Sequence, residues 1–268
     1  MGLPGKSRLA RYLLGQSLET QNRLLTAQDG SNYIAPSLRE PIAFHLLIDG
    51  VYEKPSIDIV LKHLSPDGVF LDVGANIGVF SITAARLLQN SGKVIAIEAS
   101  PQIFSYLKKN INYNQLSNIQ AVQIAITDLD NAVVDFYEPP SDHFGMGSIA
   151  RQFHRDPIHI KTKTVDTLLA EKSINSVSVM KVDVEGYEAA VFRGSQSLLH
   201  SSHPPIILFE FCDWAEARVP EAKVGDAQRV LTEAGYQIWR LSSFMSGGKP
   251  LNKILDSGSE MLVGVKKK

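Results

Sequence analysis

The chain has 268 residues, 44% apolar and 21% charged, with a formal net charge of −1. This is the balance of a globular protein with one sizeable core, and it gives no electrostatic case for nucleic acid as the main partner. One cysteine, Cys212, excludes an intramolecular disulfide framework and a multi-cysteine metal site, and it fits a reducing, cytoplasmic compartment. No run of ~18 apolar residues predicts a membrane span, and the start around Lys6, Arg8 and Arg11 is too broken by charge for a signal peptide.

Residues 9–18 read as a short amphipathic helix and 28–32 as a turn cluster. A helical apolar pattern returns over 41–47. The segment Gly50-Val51-Tyr52-Glu53-Lys54-Pro55 then leads into a helix over 57–64, closed by Pro66-Asp67-Gly68. Residues 1–66 are expected to form a helical extension packed on a core built from 67–268. That core opens with GVFLDVGANIGVFS (68–81): a strand, a glycine turn and a helix. Gly74 and Gly78 lack Cβ, so the backbone can bend sharply there and a ligand can approach it closely.

Strands follow over 93–98 and 120–126, the second ending in Thr127-Asp128, with a helix from Pro101 to about residue 114 between them. Alternation at this spacing implies parallel βαβ units with their strand ends on one edge. Residues 133–164 break the rhythm. Strands over 133–137 and 159–164 are expected to pair antiparallel around a Pro- and Gly-rich loop, 139–148, which is read as an acceptor-side wall. A short helix from Val165, a strand over 177–182 ending in Asp183-Val184-Glu185-Gly186, and a helix over 187–199 come next. They are followed by a strand over 206–209 with Glu210 after it, a helix over 222–234, and strands over 236–241 and 261–265.

The turn Asp72-x-Gly74-x-Asn76-x-Gly78 is not the dinucleotide fingerprint, because a carboxylate stands where that pattern begins. Roughly twenty residues on, Glu98 ends the second strand, where an acid suits a ribose diol. The ligand this predicts is a nucleoside; the competing reading is a tight turn with structural glycines only. Six acids fall at strand ends: Asp72, Glu98, Asp128, Asp183, Glu185 and Glu210. Together they are hostile to a pyrophosphate and suit a sulfonium, an ammonium and a ribose diol, the groups of S-adenosylmethionine. Some of them also suit capping of the next helix.

DVGANIGVFS, VIAIEASP and MKVDVEGYEAAVFRG resemble the FkbM family of S-adenosylmethionine-dependent methyltransferases, over roughly residues 48–265. The resemblance implies an α/β, Rossmann-like class I methyltransferase fold. Its mostly parallel seven-stranded sheet would carry helices on both faces and one late antiparallel strand. It implies S-adenosyl-L-methionine as cofactor, and as acceptor a hydroxyl on a sugar, a glycoconjugate or a secondary metabolite. By the same resemblance Gly74, Ala75, Asn76 and Gly78, headed by Asp72, line the methionine and ribose. Glu98, with Ala99 beside it, binds the ribose hydroxyls. Asp128 reaches the adenine amino group, and Asp183 sits at the methionine end or the reacting methyl. Glu53 either accepts from the methionine amino group or is a solvent-facing helix acid.

Methyl transfer to a hydroxyl needs alignment and a base. The candidate bases are Glu185, Glu210 and His143. Asp183, Glu185, Glu210 and His143 are also ligands a divalent ion accepts, but spacing does not show that they converge, and a metal is possible without being required. Two other readings stay open: a non-catalytic nucleoside-binding partner subunit, and a nicotinamide-dependent oxidoreductase, which Asp72 and the incomplete fingerprint oppose.

Overall fold

The computed structural model describes Leu18 and residues 22–89, 91–151 and 156–266. The helix expected over 9–18 lies outside these residues, Leu18 excepted. The described chain begins with a short antiparallel pair, β1 (Leu25–Thr26) and β2 (Asn32–Tyr33). Helix α1 (Pro41–Asp49) starts where the Glu40 side chain accepts from the Ile42 N–H, with Pro41 at its first position. Helix α2 (Lys54–His63) starts three residues earlier than its apolar pattern suggests, with Glu53 in the left-handed region at φ 44°.

The central sheet then assembles from β3 (Val69–Val73), β4 (Lys93–Glu98), β5 (Ile119–Gln123), β9 (Val179–Val182), β10 (Ile206–Cys212), β11 (Tyr236–Arg240) and β12 (Ser259–Lys266). Its order is β11-β12-β10-β9-β3-β4-β5. β12 alone runs antiparallel to its neighbours. This is the seven-stranded, mostly parallel sheet expected. β3 leads outward through β4 to β5, and the chain then returns to the other side of β3 with β9. The reversal puts a topological switch point between β3 and β9, where open α/β sheets bind ligands beyond the carboxyl ends of their strands.

Both faces of the sheet are covered. On one, α1, α2, α3 (Val79–Leu88) and α4 (Pro101–Tyr113) bury Phe44, Ile57, Phe80 and Leu107 against Phe70 and Val94. On the other, α5 (Val165–Glu171), α6 (Glu188–Arg193), α7 (Gln196–Leu199) and α9 (Asp226–Glu233), the last following the short α8 (Asp213–Glu216), cover Leu71, Val182 and Phe209 with Leu168, Phe192, Leu198 and Leu231. α4 also anchors the N-terminal segment. Fully buried Asn110 accepts from the Ile34 N–H (2.8 Å) and donates to the carbonyls of Ile34 (3.0 Å) and Ile77 (2.8 Å).

Several boundaries differ from the sequence pattern. The strand expected over 120–126 splits between two sheets. β5 ends at Gln123, and β6 (Ala125–Ile126) leaves to pair with β8 (Ile158–Lys163), which pairs antiparallel with β7 (Val133–Phe136). The loop between β7 and β8 contains a 3-10 helix, Ser141–Met146. The helix expected over 187–199 breaks in two. The Ser195 hydroxyl donates back to the Val191 carbonyl, and the Asp166 carboxylate accepts from the N–H groups of Ser197 and Leu198, which starts α7 afresh. Glu210 lies inside β10 rather than after it. The helix expected from residue 222 begins at Asp226, behind Gly225. The Gly-rich stretch after β11 opens with α10 (Leu241–Met245). Among the described residues, no helix is long and apolar enough to cross a membrane.

Candidate active site

The switch point is built by close backbone approach. A Cβ on Gly74 (φ 80°) would lie 1.8 Å from the Asp183 carbonyl oxygen, so the turn after β3 fits against the end of β9 only with glycine. A Cβ on Gly78 (φ 96°) would meet Leu107 of α4 at 2.7 Å. Both glycines therefore serve packing first, and Gly78 does not face the cleft. The N–H groups of Gly74 and Ala75 donate to the Ile97 carbonyl at 3.0 and 2.8 Å, hanging the turn on β4. Asn76, left-handed at φ 53°, donates its N–H to Glu98 Oε2 (2.9 Å). The other oxygen, Oε1, accepts from the Ser100 N–H (2.8 Å). Burial nevertheless raises the Glu98 carboxyl to about 7, the backbone hydrogen bonds from Ser100 and Asn76 opposing it.

Two compartments open on this turn. The first has an open volume of about 650 Å³ and sets Glu98, Ala99 and Ser100 against the apolar Ile126, Phe136 and Ile149, with Tyr187 at its margin. The second, about 790 Å³, is lined by Glu40, Tyr52, Glu53, Lys181, Glu185 and Glu210 among others. They meet at Gly74, Asn76, Gly145 and Asp183, which face both. The 3-10 helix supplies Gly145 and Met146 to the second compartment, and Phe144, 2% exposed, lines the first.

The second compartment is strongly acidic. Asp183, Glu185 and Glu210 offer carboxylate oxygens within 4.8 Å of one another, a spacing that also suits a hard divalent cation. Burial, and after it the Asp183 charge, raises Glu185 to about 9 and Glu210 to about 10. The same two causes raise Glu53. Among the described residues, Glu53 Oε2 and Glu210 Oε2 are buried with no hydrogen-bond partner. The turn that presents Glu185 is held from two sides. Glu188 accepts from the N–H groups of Val184 (2.9 Å) and Gly186 (3.4 Å), and the Ser148 hydroxyl donates to the Glu185 carbonyl (2.8 Å).

Of the residues predicted from sequence, Glu53, Gly74, Ala75, Asn76, Glu98, Ala99, Asp183, Glu185 and Glu210 line these compartments. Asp72 does not. It is fully buried beneath the turn, accepting from the Ser81 hydroxyl (2.6 Å) and lying 3.8 Å from Lys181 Nζ. Asp128 lines a separate cavity beside Arg193 and Asp226, because the chain leaves the central sheet after β5 and carries it away from the edge. His143 is about half exposed, 3.1 Å from Asp142, and opens on a third cavity shared with Arg39. It stands apart from the acidic trio, at a kink in the 3-10 segment where its own backbone is not helical (φ −134°, ψ 31°). The sequence also offers Phe144, Met146 and Phe153 either as contacts for an apolar acceptor or as core; Phe153 lies outside the described residues. Sequence reasoning missed Glu40, Glu188 and Lys181. The last was readable as a charged residue inside an otherwise apolar strand.

A model of the methyltransferase FkbM domain matches residues 72–238, more than half of the chain. The chain belongs to the FkbM methyltransferase family. This FkbM protein is 24% identical over 216 residues to methyltransferase 1 of Beauveria bassiana, covering 71% of this chain and 82% of the relative. It is 28% identical over 211 residues to the 2-O-methyltransferase NoeI of Sinorhizobium fredii, covering 71% and 77%. With the hexuronic acid methyltransferase AglP of Haloferax volcanii it shares 27% identity over 149 residues, 56% of this chain and 59% of the relative. The FkbM protein is an S-adenosyl-L-methionine-dependent methyltransferase, and its cleft fits that cofactor. The buried Glu98 carboxylate lining the first compartment is the kind of acceptor a ribose diol needs, and among the described residues two buried carboxylate oxygens lining the acidic compartment lack donors.

Proposed function

We propose that this methyltransferase acts on a hydroxyl of a sugar or sugar-bearing acceptor. In this reading the adenosine lies in the compartment of Glu98, and the methionine end and the acceptor meet in the compartment of Glu53, Glu185 and Glu210. The observation that carries it is the convergence of both compartments on Asp183, with an apolar, ribose-suited side and an acidic side. The names of the two sugar-modifying relatives support the acceptor class. The buried, unpaired Cys212 supports a reducing, cytoplasmic setting.

When bound, S-adenosylmethionine supplies an electrophilic methyl group on a sulfonium. The chain's task is alignment and proton removal. Glu98 keeps lone pairs beyond those used by Asn76 and Ser100, and these would accept from the ribose hydroxyls. Glu53 Oε2 would accept from the methionine ammonium. Glu210 would take the proton of the acceptor hydroxyl, with Glu185 beside it. In the free protein, burial and the Asp183 charge favour the protonated form of both. A positive charge in the same compartment pushes them towards carboxylate, so the base forms beside bound cofactor.

The test is calorimetric titration with S-adenosylhomocysteine, followed by transfer of a labelled methyl group to a panel of neutral hexosides, amino sugars, uronides and phenols. Label on a sugar oxygen supports the proposal. Binding of the cofactor product with label only on phenols or amines would overturn the acceptor class.

A further inference from the structure

Lys181 is the least expected side chain in the sheet. It is 3% exposed on β9, between Asp72 of β3 and Leu208 of β10, with apolar Met180 and Val182 on either side in sequence. Burying an ammonium is costly unless it is well paired, so mere filling of this position would be served better by methionine or leucine.

The contacts of Lys181 are specific. Nζ lies 3.1 Å from Asp183 Oδ2 and 3.8 Å from Asp72 Oδ1, donates to the Gly74 carbonyl (3.3 Å), and sits 5.1 Å from the centre of the Phe80 ring. One ammonium thus joins the glycine turn to the carboxylate at the junction of the two compartments. It lines the second compartment with five carboxylates: Glu40, Glu53, Asp183, Glu185 and Glu210. Only Asp183 of these is within ion-pair distance of it. After burial, repulsion from Asp183 is among the causes that raise Tyr52, Glu53, Glu185, Glu188 and Glu210, alongside other acids of the cleft.

We infer that Lys181 is a positioning residue acting through Asp183: it aims that carboxylate at the junction of the compartments, where Asp183 distinguishes the charged sulfonium of the substrate cofactor from the neutral thioether of its product. The inference rests on the reading that the cofactor spans this junction. Lys181 itself touches neither ligand. Its second tie, to the Gly74 carbonyl, keeps the turn and the carboxylate in register.

The experiment is calorimetry with S-adenosylmethionine and S-adenosylhomocysteine, in EDTA, on the wild type, Lys181→Met, Asp183→Asn and the double variant. The quantity read is the ratio of the two dissociation constants, which a purely structural role would leave unchanged. Each single variant is expected to lower the preference for the sulfonium about tenfold, and the double variant no further, because the two residues act as one unit. Equal weakening of both ligands by Lys181→Met would overturn the inference, as would a rise in sulfonium preference, since Lys181 would then only oppose the cation. Lys181→Met alone leaves buried acids without their counter-ion, so it is the variant most prone to misfold. The double variant removes both charges of the pair, and a wild-type ratio in it would equally overturn the inference. A folded wild type that binds neither ligand would overturn the cofactor placement beneath it, an outcome distinct from any change of ratio.

Discussion

Gly74 and Asp183 come from strands that are neighbours in the sheet but more than a hundred residues apart in sequence, and a single Cβ on Gly74 would stand 1.8 Å from the Asp183 carbonyl oxygen. The obstacle is backbone, which cannot swing aside as a side chain can. Gly74→Ala must therefore separate the turn from the end of β9 as well as strain φ at 80°. The expected loss is about 2–4 kcal/mol of stability together with cofactor binding. Gly78→Ala is the control: its φ of 96° is strained in the same way, but its Cβ meets only side chains, Leu107 at 2.7 Å and Ile82 at 3.3 Å. Thermal melts and calorimetry on the two variants decide the matter, and equal damage from both would contradict it.

Glu98 gives the second prediction. Its two oxygens already orient Asn76 and Ser100 through their N–H groups. In Glu98→Gln one oxygen becomes an NH2 facing an N–H donor, so the turn and the proposed ribose contact are both expected to be disturbed. Affinity for S-adenosylhomocysteine is expected to fall ten- to a hundredfold, the size of one or two hydrogen bonds to a charged group. A dissociation constant within threefold of wild type would remove Glu98 from the site.

Much of this was legible in the sequence. The strand–glycine–helix unit at 68–81 and the acid at 98 announced a nucleoside site, because glycine turns and strand-end acids are local signals. The DVEG block likewise placed Asp183 and Glu185 at a strand end. What could not be read depends on tertiary pairing. Asp128 looked like a strand-end acid, but β6 leaves the central sheet to pair with β8 and carries it to another cavity. His143 looked available as a base or ligand, but it sits at a kink in the 3-10 segment and opens on another cavity than the trio. Asp72 looked like a ligand contact and is instead half of a buried charge system with Lys181, which no pattern of spacing reveals.

Buried Asn110 tests how the N-terminal segment is held. Asn110→Ala removes three hydrogen bonds and strands the N–H and carbonyl of Ile34 and the carbonyl of Ile77. Denaturant melts are expected to show a loss of roughly 2–4 kcal/mol, from unpaired buried polar groups. A change below about 0.5 kcal/mol, the range of ordinary surface substitutions, would mean that the segment is held by apolar packing alone.

The pH dependence of stability follows from the raised carboxyls. An acid whose folded value lies above its unfolded one binds more protons when folded, so stability is lost as pH rises from the unfolded towards the folded value. Glu98 moves from 4.5 to about 7, Glu188 to about 8 and Glu185 to about 9. For Glu98 alone the difference corresponds to roughly 3 kcal/mol. The cofactor-free protein should melt highest near pH 5 and progressively lower up to pH 9. A cationic ligand favours the ionised acids, so the gain in Tm from S-adenosylmethionine should exceed that from S-adenosylhomocysteine by more at pH 8.5 than at pH 6. A flat profile without ligand would show that the cleft acids are hydrated rather than desolvated.

The base assignment separates Glu210 from His143. Glu210 belongs to a sheet strand, has an unpartnered buried oxygen, and shares its compartment with Asp183 and Glu185. His143 is about half exposed and opens on a different cavity. Glu210→Gln preserves shape and removes the proton acceptor, and general-base catalysis contributes about 10²–10⁴-fold. With any acceptor that takes label, kcat should drop by at least that lower bound while affinity for S-adenosylhomocysteine stays within a few fold. His143→Ala should change kcat less than about threefold, as suits a side chain outside the reacting compartment. If Glu185→Gln abolishes turnover and Glu210→Gln does not, the proton passes to the DVEG turn instead, and β10 supplies only the neighbouring charge.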